Sequence, residues 1–511
     1  MNTFLNGLTN ANNFTLTENG AVTHKSTNSA LLDLFGMGAA YRKRSDEDCI
    51  LLFRNAFAEN PVYALKCLFY IRDVRGGQGE RRFFRVCMRD LAKQNPEAAL
   101  RNLKYVAEFG RWDDLYIFVD TPLEDAAFNF MKEQLALDVQ CKTPSLLAKW
   151  LKSENASSKE TKRLARKSAA AFGMTPKQYR RTLSILRERI NVLERLMSAG
   201  KWDEIEFDKI PSKAGLIYKN AFAKHDIERM KSERNIQSYE DFAKSADTKV
   251  NAKTLYPYEV VEKGLEVTGR RGGYWCNTVN TPLDATNRLM VNKYWDNLTD
   301  YFNGANLNAL AVVDTSASMR GTPLNVAISL GLYCAERAGG PFTGHYVSFS
   351  SRPQLIKTEG VDFCDKIARI YDTNLCQNTN IEATFDMLLH TAINNKCTQA
   401  DIPQNLIVIS DMEFDAGTNR RSWYSSGAAF DTQTLMESIR QKWRNHGYRL
   451  PHLIYWNVDA RQNNIPEDIG CGLVSYVSGF SPSIFQTIMS GKTGYELMKE
   501  KLDSPRYSVI H

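Results

Sequence analysis

Residues 310–318 read Leu-Ala-Val-Val-Asp-Thr-Ser-Ala-Ser, an apolar run that ends in Asp314 and continues with Ser316 and Ser318 at alternate positions. A carboxylate and two hydroxyls offer a cation nothing but oxygen. That donor set suits a hard divalent ion, Mg²⁺ or Mn²⁺, rather than zinc or copper. Two further oxygens come later in the chain. Thr379 lies in Gln-Asn-Thr-Asn-Ile, where a loop turns into a helix, and Asp411 ends a second apolar run, Asn-Leu-Ile-Val-Ile-Ser-Asp. Asp314 is expected to act through a water, and the two serines to coordinate directly. Neutral hydroxyls in place of carboxylates leave the ion electrophilic, with one position open to an acid from a partner or from the chain's own N-terminal arm. The competing possibility makes Ser316 and Ser318 caps of a helix beginning near Pro323. Five oxygens from three segments favour the cation. Glu413 and Asp415, just beyond in Ser-Asp-Met-Glu-Phe-Asp, are expected to be solvated loop acids.

Little points to catalysis. Hydrolysis needs a second metal or a base beside the activated water. No histidine lies near these residues in sequence. The Arg-Gly-Gly-Gln-Gly segment at 75–79 and the Gly272-Gly273 pair lack the Lys-Ser/Thr ending of a phosphate loop. No catalytic residue is assigned, and a non-enzyme is expected.

The elements that must position the oxygens lie after about residue 305. Apolar runs at 308–314, 345–350, 405–410, 451–458 and 471–478 read as strands. Amphipathic patterns at 323–338, 361–370, 380–394, 432–446 and 493–502 read as helices. Alternation of this kind implies a doubly wound parallel sheet, which binds ligands at strand carboxyl ends. Both aspartates fall at such ends. Residues 31–300 differ. Three- and four-residue apolar spacing predicts helices over 49–58, 61–72, 81–93, 97–108, 124–138 and 178–197, an α-solenoid of degenerate helix pairs. Thr175-Pro176 reads as a helix start. Residues 1–30, rich in Asn and Thr, read as an extended arm. The expected class is thus α + α/β, divided as 1–30, 31–300 and 301–511.

The 511 residues hold ten cysteines without a Cys-x-x-Cys, expected to be free thiols in a reducing cytoplasm, and no run long enough to span a membrane. Residues 1–300 carry 47 Lys+Arg against 38 Asp+Glu, whereas 301–511 carry 18 against 20. An anionic polymer would therefore meet the first part of the chain. Residues 142–187 hold twelve basic residues and two acids, Glu154 and Glu160. Among them Lys159, Lys162, Arg163, Arg166 and Lys167 keep the spacing of one helix face. Lys177, Arg180 and Arg181 extend that surface beyond Gly173, and Lys149 and Lys152 precede it. A second cluster comprises Arg72, Arg75, Arg81, Arg82 and Arg85, with Tyr70 and Phe83 beside it for stacking. RNA phosphates are the expected partner of both.

The Asp-x-Ser-x-Ser motif with the later Thr and Asp resembles the metal-ion-dependent adhesion site of von Willebrand factor A domains, matched here at Asp314, Ser316, Ser318, Thr379 and Asp411. Helical repeats ahead of such a domain resemble the Ro autoantigen (TROVE) family, and most of all its bacterial, plant and viral relatives. Thr17-Glu-Asn-Gly-Ala, Arg72-Asp-Val-Arg-Gly-Gly-Gln-Gly-Glu-Arg, Lys201-Trp-Asp-Glu-Ile and Ser410-Asp-Met-Glu-Phe-Asp are similar to segments of that group. The resemblance implies HEAT-like repeats curved into a ring and a ribonucleoprotein role without turnover. Small structured or single-stranded RNA would bind there, with an exoribonuclease or another protein as partner. A cytoplasmic monomer is expected. The alternative is a protein-docking module that takes an acidic partner residue on the metal, without RNA.

Overall fold

The computed structural model describes residues 13–231, 234, 236–269, 285–349, 352–372, 378–416, 434–467 and 473–511. A short antiparallel hairpin comes first, β1 (Phe14–Leu16) and β2 (Val22–His24). Helices occupy most of the chain up to Asp296, and a six-stranded sheet lies beyond them. Its strands are β3 (Ala309–Asp314), β4 (His345–Phe349), β5 (Gln354–Lys357), β6 (Asn405–Ser410), β7 (His452–Asn457) and β8 (Val474–Ser478). They lie in the order β5-β4-β3-β6-β7-β8. All neighbours are parallel except β4 and β5.

The α + α/β class is thus what the chain adopts. β3, β6, β7 and β8 read as apolar runs because helices cover both faces, and Leu406 to Ile409 have no exposed surface at all. β5 has no counterpart among the expected strands. It is an exposed antiparallel edge, so burial never wrote an apolar run into it. The six helices expected before residue 200 all form. The last breaks into Pro176–Arg189 and Leu193–Ser198, with Asn191 left-handed at φ 48°. Thr175 caps Pro176–Arg189 through a reciprocal box with Gln178.

The compact units do not follow the expected divisions at residues 30 and 300. One takes Met1–Cys67 with Ala252–Ser504, the other Leu68–Asn251 with Pro505–His511. Burial explains the first grouping. The hairpin adds a bridge to the sheet-bearing region, where His24 N donates to Ile465 O at 3.0 Å and Ile465 N to His24 O at 2.9 Å. The described arm is therefore a docked hairpin rather than an extended segment. Helix Ala30–Met37 then packs on β8 so closely that a Cβ at Gly36 would lie 2.8 Å from Tyr476 Cβ. In the other unit the tail folds back, with Tyr507 Oη donating to Asp73 Oδ2 at 3.0 Å.

One buried histidine makes the sheet sensitive to acid. His452 of β7 exchanges hydrogen bonds with Asn405 Oδ1 at 3.1 Å and Ser475 Oγ at 2.9 Å. Burial holds its imidazole neutral, with a pKa down at about 4. The unfolded chain takes up the proton near pH 6.5, so the contribution is complete above that pH and is lost as pH falls towards 4. We predict a loss of about 3 kcal/mol across that window. Denaturant unfolding at several pH values checks it, and His452→Gln should flatten that limb.

Candidate metal site and basic surface

The sheet has its switch point between β3 and β6. The chain steps from β3 to β4 on one side, then returns to β6 and moves on to β7 and β8 on the other. Asp314 closes β3, and Asp411 comes directly after the last residue of β6, so both carboxylates stand at the mouth of this crevice. Asp314 is fully buried and accepts from Ser316 N at 2.9 Å and Ser410 Oγ at 2.5 Å. Ser316 Oγ and Ser318 Oγ lie 2.9 Å apart. A hydrogen bond from Ser318 reaches Asp411, which also accepts from Glu413 N at 3.2 Å. Four of the five expected oxygens are thus joined directly. Thr379 makes no hydrogen bond with these four among the described residues; its carbonyl accepts from Asp415 N at 3.0 Å.

The serines do not cap the next α-helix. Helix Thr322–Arg337 has Gly321 at its N-cap, and no side chain caps it. Glu413 is not the solvated acid expected, since it is 0% exposed. Met412 is left-handed at φ 66°, an uncommon and strained state for a side chain of its size. That turn keeps Glu413 and Phe414 inside, and Met412 N is anchored on Ser410 Oγ at 3.0 Å. Asp415 is half-buried.

Electrostatics favour a cation. Burial, then the charge of Asp411, pushes the Asp314 carboxyl above the usual range, and burial raises Asp411 as well. Burial also lifts Glu413 to about 7, with Asp411 and Glu18 adding repulsion. Asp411 Oδ2 and Glu413 Oε1 are buried without a hydrogen-bond partner among the described residues. Crowded, incompletely paired carboxylates beside hydroxyls fit a hard divalent ion, which would offset the cost of burying them.

Three residues here were not legible in the sequence. Arg461, beyond β7, lies with Nη2 3.3 Å from Asp411 Oδ2 and donates to Ser318 O at 2.6 Å. Glu18 and Asn19, from the hairpin turn, meet the loop that carries Glu413.

The basic residues fall into two kinds. Arg72 departs from its expected RNA role. It is 1% exposed and grips Asp114, itself 0% exposed, with Nε at 2.8 Å and Nη2 at 2.6 Å. Arg85 holds the other Asp114 oxygen at 2.6 Å. Tyr70 and Phe83 are buried too, so neither can stack on a base. Gly77 is explained by packing, since a Cβ there would meet Tyr70 O at 1.9 Å. Arg75 is exposed and donates to Glu108 O at 2.8 Å, while Arg81 and Arg82 are half-buried. Within this cluster Arg72 and Arg85 are held by Asp114. Asp114→Ala should cost about 3–5 kcal/mol in denaturant unfolding, because it strands a buried guanidinium.

On the basic helices, Arg163 and Lys167 turn towards Asp120, at 3.1 and 3.0 Å, and Lys167 also reaches Glu124 at 2.7 Å. Arg180 pairs with Glu154 at 2.7 Å, Lys152 lies 3.8 Å from Asp113 and Lys149 4.0 Å from Glu194. Lys159, Arg166, Lys177 and Arg181 are exposed, and Lys162 is half-buried. None of these five has an ion pair among the described residues.

Comparison with known proteins adds a family. The chain matches the model "Domain of unknown function (DUF2828)" over residues 17–171 and 136–303, more than half its length. The chain belongs to the DUF2828 family. The sheet-bearing part of this DUF2828 protein, residues 308–507, matches "Domain of unknown function (DUF7788)". It is similar to Uncharacterized protein L728 of Acanthamoeba polyphaga mimivirus, 28% identical over 520 residues, covering 94% of this chain and 85% of that protein. A viral relative of that extent accords with the kinship the sequence implied. Among solved structures, the crystal structure of Deinococcus radiodurans Ro (RSR) protein aligns with 93% of this chain and 99% of that one, at 12% identity and a TM-score of 0.37. Two folds that superpose so loosely lend no support to a shared function.

Proposed function

We propose that this protein is a non-catalytic scaffold that holds RNA on its basic helices. A divalent cation, Mg²⁺ or Mn²⁺, would be held by Asp314, Ser316, Ser318, Thr379 and Asp411 and would serve docking rather than chemistry. The observation that carries the RNA reading is the row of unpaired cations on helices Lys159–Ala171 and Pro176–Arg189. Lys159, Arg166, Lys177 and Arg181 face solvent without an acid partner among the described residues. Exposed, unneutralised charge of one sign attracts phosphates without regard to base sequence. When bound, the cation would supply an electrophilic position for a carboxylate. The chain's own part is to bury and orient the oxygens around it.

A second reading has its own observation. Asp314 and Asp411 are buried at neighbouring strand ends whatever the basic helices do, and with a cation bound there an acidic protein partner could dock without RNA. Incubating the intact chain with a small structured RNA bearing a single-stranded 3′ tail, in Mn²⁺, separates the outcomes. RNA recovered bound and uncut supports the scaffold. Cleaved RNA would make the protein a nuclease, and unbound RNA would leave protein docking.

A further inference from the structure

The hairpin turn Thr17–Gly20 lies against the loop that leaves the metal crevice. Thr17 Oγ1 donates to Phe414 O at 2.6 Å, and Glu18 N donates to Glu413 Oε2 at 2.7 Å. Asn19 Nδ2 donates to Glu413 O at 2.6 Å and reaches Thr379 Oγ1 at 3.4 Å. Ala416 N returns a bond to Asn19 O at 3.2 Å. The turn therefore touches one expected cation ligand and frames the segment just after another.

The Glu18 carboxylate is held by Arg461, whose Nη1 donates to Oε2 at 2.8 Å. The same guanidinium donates through Nη2 to Ser318 O at 2.6 Å and stands 3.3 Å from Asp411 Oδ2. Arg461 thus spans from Glu18 to two members of the crevice. It supplies positive charge where the cation would supply it. Even so, Asp411 Oδ2 and the fully buried Glu413 Oε1 keep no hydrogen-bond partner among the described residues, so a guanidinium at this distance does not satisfy the site. A divalent ion among these oxygens would repel Arg461 and attract the carboxylate that Arg461 now holds, that of Glu18.

We propose that Glu18 is the cation's own-chain carboxylate ligand. It fills the position that the five-oxygen set leaves open, exchanging Arg461 for the metal. An acid from another molecule then reaches the cation by displacing Glu18. This rests on the cation reading of the crevice.

Calorimetric titration of the full chain with Mn²⁺ tests it. Glu18→Ala should weaken Mn²⁺ about tenfold, and added acetate should restore much of the loss by entering the vacated position. Arg461→Gln should bind Mn²⁺ as tightly as the parent or tighter, because a competing positive charge is gone. Unchanged affinity in Glu18→Ala, no rescue by acetate, or equal weakening in Arg461→Gln would each overturn the assignment while leaving the site itself intact. If the parent shows no Mn²⁺ binding that Asp411→Asn removes, the site fails and the assignment with it.

Discussion

Asp411→Asn should abolish Mn²⁺ binding, weakening it by at least about 100-fold, and should leave the metal-free fold intact or firmer. The substitution keeps the oxygen that accepts from Glu413 N but removes a buried charge. Asp314, Asp411 and Glu413 all have carboxyls pushed upward, first by burial. Without a cation they destabilise one another, so neutralising one relieves the other two. The parent should therefore gain stability from Mn²⁺, about 2.7 kcal/mol at 100 times the dissociation constant, and the variant should gain none. Thermal unfolding with and without Mn²⁺ reads both effects. An equal metal-induced shift in both proteins would place the cation elsewhere.

Reversing Lys159, Arg166, Lys177 and Arg181 to Glu together should weaken RNA binding about 100-fold at low salt and flatten its salt dependence. These four are exposed and unpaired among the described residues, so their loss removes no ionic contact seen there, and the melting temperature should stay nearly unchanged. Arg163 and Lys167 make poor test positions. Reversing them would set new acids against Asp120 and Glu124 and mix a stability effect into the binding result. Fluorescence titration with labelled RNA, paired with a melting curve, checks both expectations. A collapse in melting temperature would mean that the row is structural.

The central strands and the aspartates at their ends were legible because burial and chemistry leave marks on neighbouring residues. A strand covered on both faces must be apolar throughout, and the carboxylate ending it marks where the sheet opens. Asp314 and Asp411 carry that mark. Glu18, Asn19 and Arg461 carry none, for they join the site through contacts across hundreds of residues. Charge spacing has a similar blind spot. It places Arg163 and Lys167 on one face with Lys159 but cannot see Asp120 and Glu124 brought up by another segment. Arg72 misled for the same reason, since its partner Asp114 lies 42 residues away. Glu413 looked like a loop acid because the left-handed turn at Met412 has no signature in a residue that usually avoids it.

Binding of the purified chain to a small structured RNA with a single-stranded 3′ tail, titrated across salt concentration, tests the scaffold role most directly. Tight binding whose logarithm falls steeply with the logarithm of salt, by about 0.7–0.9 for each phosphate neutralised, is the predicted result. Weak binding, or binding indifferent to salt, would contradict it and leave the acid-docking crevice as the protein's working surface.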